Sequence, residues 1–229
     1  MQNTSLTKKI VFAFVFALLG LGALQVPVWQ LAGSRAAFTL FDFFGPIAPV
    51  FIGTLPGLAA VFLTQLANFF VHGSQVLDAG TVIRFLPPLF AALYFEKKRS
   101  FLLAVPVLAI LAFVVNPVGR SVWYFSLFWL IPIAAHFFHK RFLFARALGA
   151  TFTAHAVGGA LWIWVFALPA PVWVGLIPIV IKERLLFALG IAVSHVVVTS
   201  IFKLLAEWTP AVRGIRIEKR YALPLLRSR

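Results

Sequence analysis

Long apolar runs broken by short polar or proline-glycine clusters fill the chain from Ile10 to Leu205. A straight crossing of a bilayer needs about 20 apolar residues, and somewhat fewer suffice in a bundle whose neighbours cover the ends. The first run is Ile10 to Leu24, followed by Pro27 and Trp29. The apolar region Phe38–Val71 would make a helix about 50 Å long, too long for a hydrocarbon core of about 30 Å. It also contains Pro46, Pro49, Gly53, Pro56 and Gly57, which bend or end helices. It therefore reads as two short spans, Leu40–Gly53 and Pro56–Val71, joined by a turn at Thr54-Leu55. Further runs follow at Thr81–Phe95, Phe101–Val115, Val122–Phe138, Ala145–Leu168 and Trp173–Leu205. The pattern predicts an all-α, polytopic membrane helix bundle of about eight spans over residues 1–208, with a basic tail over 209–229.

Composition agrees. Hydrophobic residues make up 62% of the chain, charged residues 11%, and mean hydropathy is +1.00, which leaves too little polar surface to cover a soluble globule. The net charge of +14 and pI near 11.4 fall into a topological pattern and not a basic stripe, which argues against nucleic acid as a partner. Lys8 and Lys9, then Lys97, Lys98 and Arg99, then Lys140, Arg141 and Arg146, and finally the tail all lie on one side if both termini are cytoplasmic. The opposite loops hold only Arg35 and Arg120, and Pro169-Ala170-Pro171 carries no charge. Merging Phe38–Val71 into one span would destroy this asymmetry. The tail, basic and proline-interrupted, is expected on the anionic inner leaflet. With no small-x-small cleavage site after the first run, that run is expected to remain as an anchor.

Several chemistries are missing. Cysteine is absent, which removes disulfides and thiolate sites. No phosphate-binding glycine loop, H-E-x-x-H or G-x-S-x-G occurs, and the six acidic residues give little support to a paired-carboxylate site. No cofactor is indicated. His136 and His139, beside Lys140 and Arg141, read as a wet interfacial pair and not as a metal site.

Polar groups inside spans are costly and carry the functional expectation. Gln65, Asn68 and His72 share one helical face, as do Thr151, His155, Gly158 and Trp162. Arg84 opens its span, Trp123 and Tyr124 open another, and Lys182-Glu183-Arg184 begins the last. Under the alternating topology most of these side chains fall at similar depth in the outer half of the bilayer, where convergent polar groups and aromatic walls would suit a small-molecule pocket. Each also has a structural reading. Trp123, Tyr124 and Trp162 could form an interfacial belt, Gln65 and Asn68 could cross-link helices, Lys182, Glu183 and Arg184 could snorkel or pair, and His72 and Arg84 could cap loops. The shared depth is what favours a site.

Four stretches resemble a known family: Ala13-x-x-x-Ala17; Phe38-Thr39-Leu40-Phe41-Asp42-Phe43-Phe44; Ile52-Gly53-Thr54-Leu55-Pro56-Gly57-Leu58-Ala59; and Leu176-Ile177-Pro178-Ile179-Val180-Ile181-Lys182-Glu183. Together they are similar to the substrate-binding S components of energy-coupling factor (ECF) transporters. The resemblance implies a helical core of six spans, with the surplus at Phe101–Phe138 as an extra helix pair. It implies that Ala13 and Ala17 dock on a transmembrane coupling subunit served by an ATPase pair. The ligand would then lie under a loop between the first two helices, with Lys182 and Glu183 near its polar head. The acidic residue and the lysine are adjacent here, whereas biotin-type members separate them.

The leading expectation is thus a substrate-binding subunit, not an enzyme, for uptake of a vitamin or nucleobase-like micronutrient. Its expected site is Gln65, Asn68, His72, Arg84, Trp123, Tyr124, His155, Trp162, Lys182 and Glu183, with no catalytic residues and no metal. An intramembrane enzyme acting on a lipid or prenyl-linked substrate, with His155, Glu183 and Arg184 as catalysts, is the alternative. A secondary carrier is a further one, although no inverted repeat is visible.

Overall fold

The computed structural model describes residues 6–30, 37–71, 78–208 and 215–223. Helix makes up 85% of them. The expected His72 and Arg35 lie outside the described residues. Helix α1 (Leu6–Leu24) leads into strand β1 (Pro27–Gln30), which pairs antiparallel with β2 (Ala37–Thr39). This small ribbon is the one departure from the expected all-α class among the described residues. Short helices α2 (Phe41–Phe44) and α3 (Ala48–Ile52), linked by a 3-10 turn at Gly45–Ile47, precede α4 (Thr54–Val71). Then come α5 (Ala79–Glu96), α6 (Ala104–Val115), α7 (Pro117–Ser121), a 3-10 stretch Trp123–Leu130 running into α8 (Ile131–Phe138), α9 (Leu143–Phe166) and α10 (Ala170–Trp208).

Three helices, α4, α9 and α10, are long and apolar enough to cross a membrane, and shorter apolar helices cover Ile10–Leu24, Phe41–Ile52, Ser100–Val115 and Trp123–Phe138. Large apolar side chains stand exposed along their outer faces, among them Phe14, Leu19, Leu108, Leu189 and Val193. Contiguous apolar surface of this kind is not left to water in a stable protein. Helix α10 is a single 39-residue element, about 58 Å long at 1.5 Å per residue.

The apolar region Phe38–Val71 is indeed broken, but one residue earlier than its sequence suggests. The break is Gly53, with φ of +95°, and α4 has already begun at Thr54. Only glycine adopts that backbone conformation without strain. Immediately afterwards α4 packs so closely on α3 that a Cβ added at Gly57 would lie 2.3 Å from the Pro49 Cα.

Two clusters make the core. The larger joins α1, α2, α3, α4, α5, α9 and α10 around Phe16, Phe41, Ile47, Phe51, Val61, Phe95 and Ile191. The smaller joins the Phe101–Phe138 region to α9 and α10 around Phe113, Phe125, Trp129, Ile163 and Trp173. The helices of this region are therefore packed into the bundle as a wall, with Phe113 edge-on to both Trp129 and Trp173.

Cations gather at one end of the bundle. Glu96, at the end of α5, is buried; it accepts hydrogen bonds from Thr54 Oγ1 (2.6 Å) and Arg99 Nη2 (2.8 Å). The described part of the tail, residues 215–223, folds back against this end of the bundle. The Arg216 N–H donates to Phe51 O, Arg220 donates to Lys140 O, and the Leu223 N–H donates to Ser200 Oγ. Glu218 explains the return: it meets Arg146 at 2.7 Å and His195 at 3.2 Å. Burial alone would raise the Glu218 carboxyl, but the His195 hydrogen bond and the Arg146 charge bring it down to about 2.

His136 and His139 are buried, not wet. At the turn after α8, His139 Nε2 is 2.8 Å from the carbonyl of Tyr94, and burial pushes its imidazole down to about 4 against the pull of that bond. A histidine lowered on folding is protonated first in the unfolded chain, so stability falls as the pH drops below about 6.5 toward 4. Thermal melts of the purified protein should be flat from pH 8 to 7 and decline from pH 6.5 to 4.5. His139→Gln should shrink that decline, and an unchanged slope would remove His139 as its source.

Candidate functional site

At the end of the bundle away from the cation cluster, α1, α4, α5, α9 and α10 leave a cavity of about 310 Å³. The β ribbon contributes to its lining through Ala37, Phe38 and Thr39. The ribbon is pinned to the bundle by polar contacts. Asp42 Oδ2, in α2, accepts the Thr39 N–H at 2.7 Å, and the Trp29 side chain hydrogen-bonds to Glu183 on α10.

Four of the expected residues line the cavity: Gln65 from α4, Arg84 from α5, and His155 and Trp162 from α9. Thr151 and Gly158 join them, so the whole α9 face read from the sequence points inward. His155 is oriented by a partner that sequence reasoning missed. The Trp129 indole N–H donates to His155 Nδ1 at 3.0 Å. An indole nitrogen can only donate, so Nδ1 is unprotonated and the neutral ring carries its proton on Nε2. Phe125, Trp129 and Phe152 surround the imidazole. A tryptophan in mid-run, where no interface requires one, was the available signal for Trp129.

The other expected residues fall elsewhere. Trp123 and Tyr124 are exposed at 53% and 40%. The 3-10 stretch turns Phe125, Ser126 and Trp129 inward, which leaves Trp123 and Tyr124 on the outer side, and Phe125 is the residue that reaches the cavity. Asn68 accepts a hydrogen bond from Gln25 Nε2 at 2.9 Å, which links α4 to the end of α1. Lys182 is exposed because the buried stripe of α10 runs through Val180, Glu183, Arg184, Phe187, Ala188 and Ile191. Glu183 is buried and pairs with Arg184 at 3.3 Å outside the cavity lining. Ala13 and Ala17 are half-buried, between the inward Phe12 and Phe16 and the exposed Phe14, Val15, Leu18 and Leu19.

Arg184 takes the place expected for Lys182. Its guanidinium lies 4.9 Å from the Phe38 ring centre and 4.6 Å from that of Phe187. Nη1 donates to Thr151 Oγ1 at 3.2 Å and Nη2 to Glu183 Oε2 at 3.3 Å, while the buried Nε has no partner. Asp42 lies within electrostatic reach of it. The site therefore offers charged and hydrogen-bonding groups on an aromatic background, the usual make-up of a pocket that orients a small molecule. Among the described residues no cluster of three or more His, Cys, Asp or Glu could hold a metal ion.

Comparison with protein-family models, with curated proteins and with solved structures yields no match to this chain.

Proposed function

We propose that this protein is a multi-pass subunit of the cytoplasmic membrane that captures a small micronutrient from the outer side, in the manner of an ECF S component. The observation that carries the reading is the cavity beneath the β ribbon joining α1 to α2. A loop in that position covering the ligand is what the family resemblance implies, and here the ribbon supplies Phe38 and Thr39 to the lining. Charge supports the orientation. The Lys97–Arg99 turn, the Lys140 turn and the tail share one end of the bundle, bridged by Glu96, Glu218 and Arg220, and the positive-inside bias assigns that end to the cytoplasm. The cavity end then faces outward, with the chain crossing about eight times and α2–α3 serving as a short, protein-covered crossing. Energy would come from a separate coupling subunit and ATPase pair, with α1 presenting Ala13 and Ala17 to the partner.

Mass spectrometry of small molecules retained through purification tests the capture step. Wild-type protein should carry one dominant small molecule. Gly158→Trp should lose it while keeping its melting temperature, since Gly158 lines the cavity and a Cβ there meets only Pro87 Cγ, at 3.5 Å. Equal retention by both proteins would place the molecule elsewhere and overturn the assignment of this cavity.

A further inference from the structure

The unmatched hydrogen-bond donors of the cavity define a ligand chemistry, and this step rests on the capture reading above. Arg184 is buried and its Nε–H has no partner. Phe38 and Phe187 lie against the guanidinium, and its Nη2 holds only the long bond to Glu183. His155 contributes a second donor, because the Trp129 bond fixes its proton on Nε2. Arg84, at the more exposed rim, makes no ion pair among the described residues. On the acceptor side of the lining stand Asp42, with one oxygen occupied by Thr39, and the amide oxygen of Gln65, whose Nε2 donates to Val61 O; Glu183, outside the lining, is engaged by Arg184 and Trp29.

Two of the lining donors, Arg184 and Arg84, are cationic. A neutral ligand would leave the Arg184 edge only partly matched. A carboxylate supplies two coplanar oxygens of the geometry that an arginine edge pairs with best. The remaining wall is aromatic, from Phe125, Trp162 and Trp173, which suits a flat ring. We infer that the cavity binds a small aromatic or heteroaromatic carboxylic acid, its carboxylate paired with Arg184 and hydrogen-bonded by His155 Nε2–H.

The full-length protein in lipid nanodiscs, titrated by tryptophan fluorescence and thermal shift, tests this directly. The probes are matched pairs: benzoate with benzamide, nicotinate with nicotinamide, and indole-3-acetate with indole-3-acetamide. Palmitate serves as the lipid-derived carboxylate. At least one aromatic acid should bind about tenfold or more tighter than its amide, the ratio expected when a buried charge pair is lost, and Arg184→Gln should erase that preference. Because Arg184 also supports packing, Arg84→Gln provides a second reading at the rim, where a several-fold loss of the same preference is expected with an unchanged melting temperature. Amides binding as well as acids, palmitate displacing every aromatic acid, or no acid binding at all would overturn the inference. A neutral molecule recovered from wild-type protein and lost from Gly158→Trp would overturn it too, yet leave the capture reading intact.

Discussion

Arg146→Met is expected to lower the stability of the purified protein by about 3 kcal/mol or more, the range typical of breaking a buried pair from one side. Arg146 is nearly inaccessible and works in three directions at once. Its guanidinium donates to the carbonyl oxygens of Phe95 and Glu96 at the end of α5, forms an ion pair with Glu218 at 2.7 Å, and lies 4.3 Å from the Phe95 ring centre. The last carbonyls of a helix have no partner within it, so Arg146 replaces bonds that α5 cannot make for itself. Methionine would fill much of the volume but leave those carbonyls and the Glu218 carboxylate short of a donor. The double variant Arg146→Met with Glu218→Gln should be less damaged than the sum of the two single changes, because it removes the orphaned charge. Thermal unfolding in one detergent, across the four proteins of that cycle, measures the coupling. Strict additivity would mean that Glu218 and Arg146 do not support each other, and that the tail is held by its other contacts.

Gly57→Val should be more severe, preventing a stable bundle from forming. The steric conflict is with backbone: a Cβ at this position would sit 2.3 Å from Pro49 Cα and 2.5 Å from Pro49 N. Neither atom belongs to a side chain that can swing away, so α3 and α4 would have to separate. Overpacking a well-packed core usually costs about 1–3 kcal/mol when side chains can adjust, and here the rigid proline backbone removes that route. Separation would also disturb the buried contacts of Phe51 with Phe12 and Phe202. Size-exclusion profile and yield after membrane extraction provide the measurement, with Gly22→Val as the control because a Cβ there meets nothing within 4 Å. A monodisperse, normally melting Gly57→Val protein would show that the two short helices are free to move apart.

Parts of the candidate site are legible in the sequence alone. Thr151, His155, Gly158 and Trp162 recur at helical spacing, and helix geometry alone puts them on one face. Gln65 and Arg84 were legible as polar intrusions in apolar runs. Arg184 was visible within Lys182-Glu183-Arg184, but not as the residue facing the cavity. Helix α10 turns its polar residues inward, Arg184, His195, Thr199, Ser200 and Lys203 among them, and leaves an apolar outer face, and the choice among three adjacent charged residues falls to the helices packed against it. The same difficulty hid the roles of Trp123, Tyr124 and Phe125, consecutive aromatics of which one turns inward. The docked tail was hidden for another reason. Its positive charge dominates the composition of that segment, whereas its position follows from contacts with distant segments, among them Glu218 meeting a cation seventy-two residues away in sequence and Arg216 meeting Glu96.

The sequence by itself determined that the chain is a helical bundle with apolar faces, that Phe38–Val71 is broken, and that cations collect at one end, because hydropathy, proline-glycine chemistry and charge act locally along the chain. Tertiary structure alone decided which polar side chains share a cavity. It selected Arg184 over Lys182, brought Trp129 to His155, laid the β ribbon over the pocket and drew Glu218 to Arg146. Each of these depends on helix rotation and on contacts between distant segments, and those rotations are set by packing against neighbours.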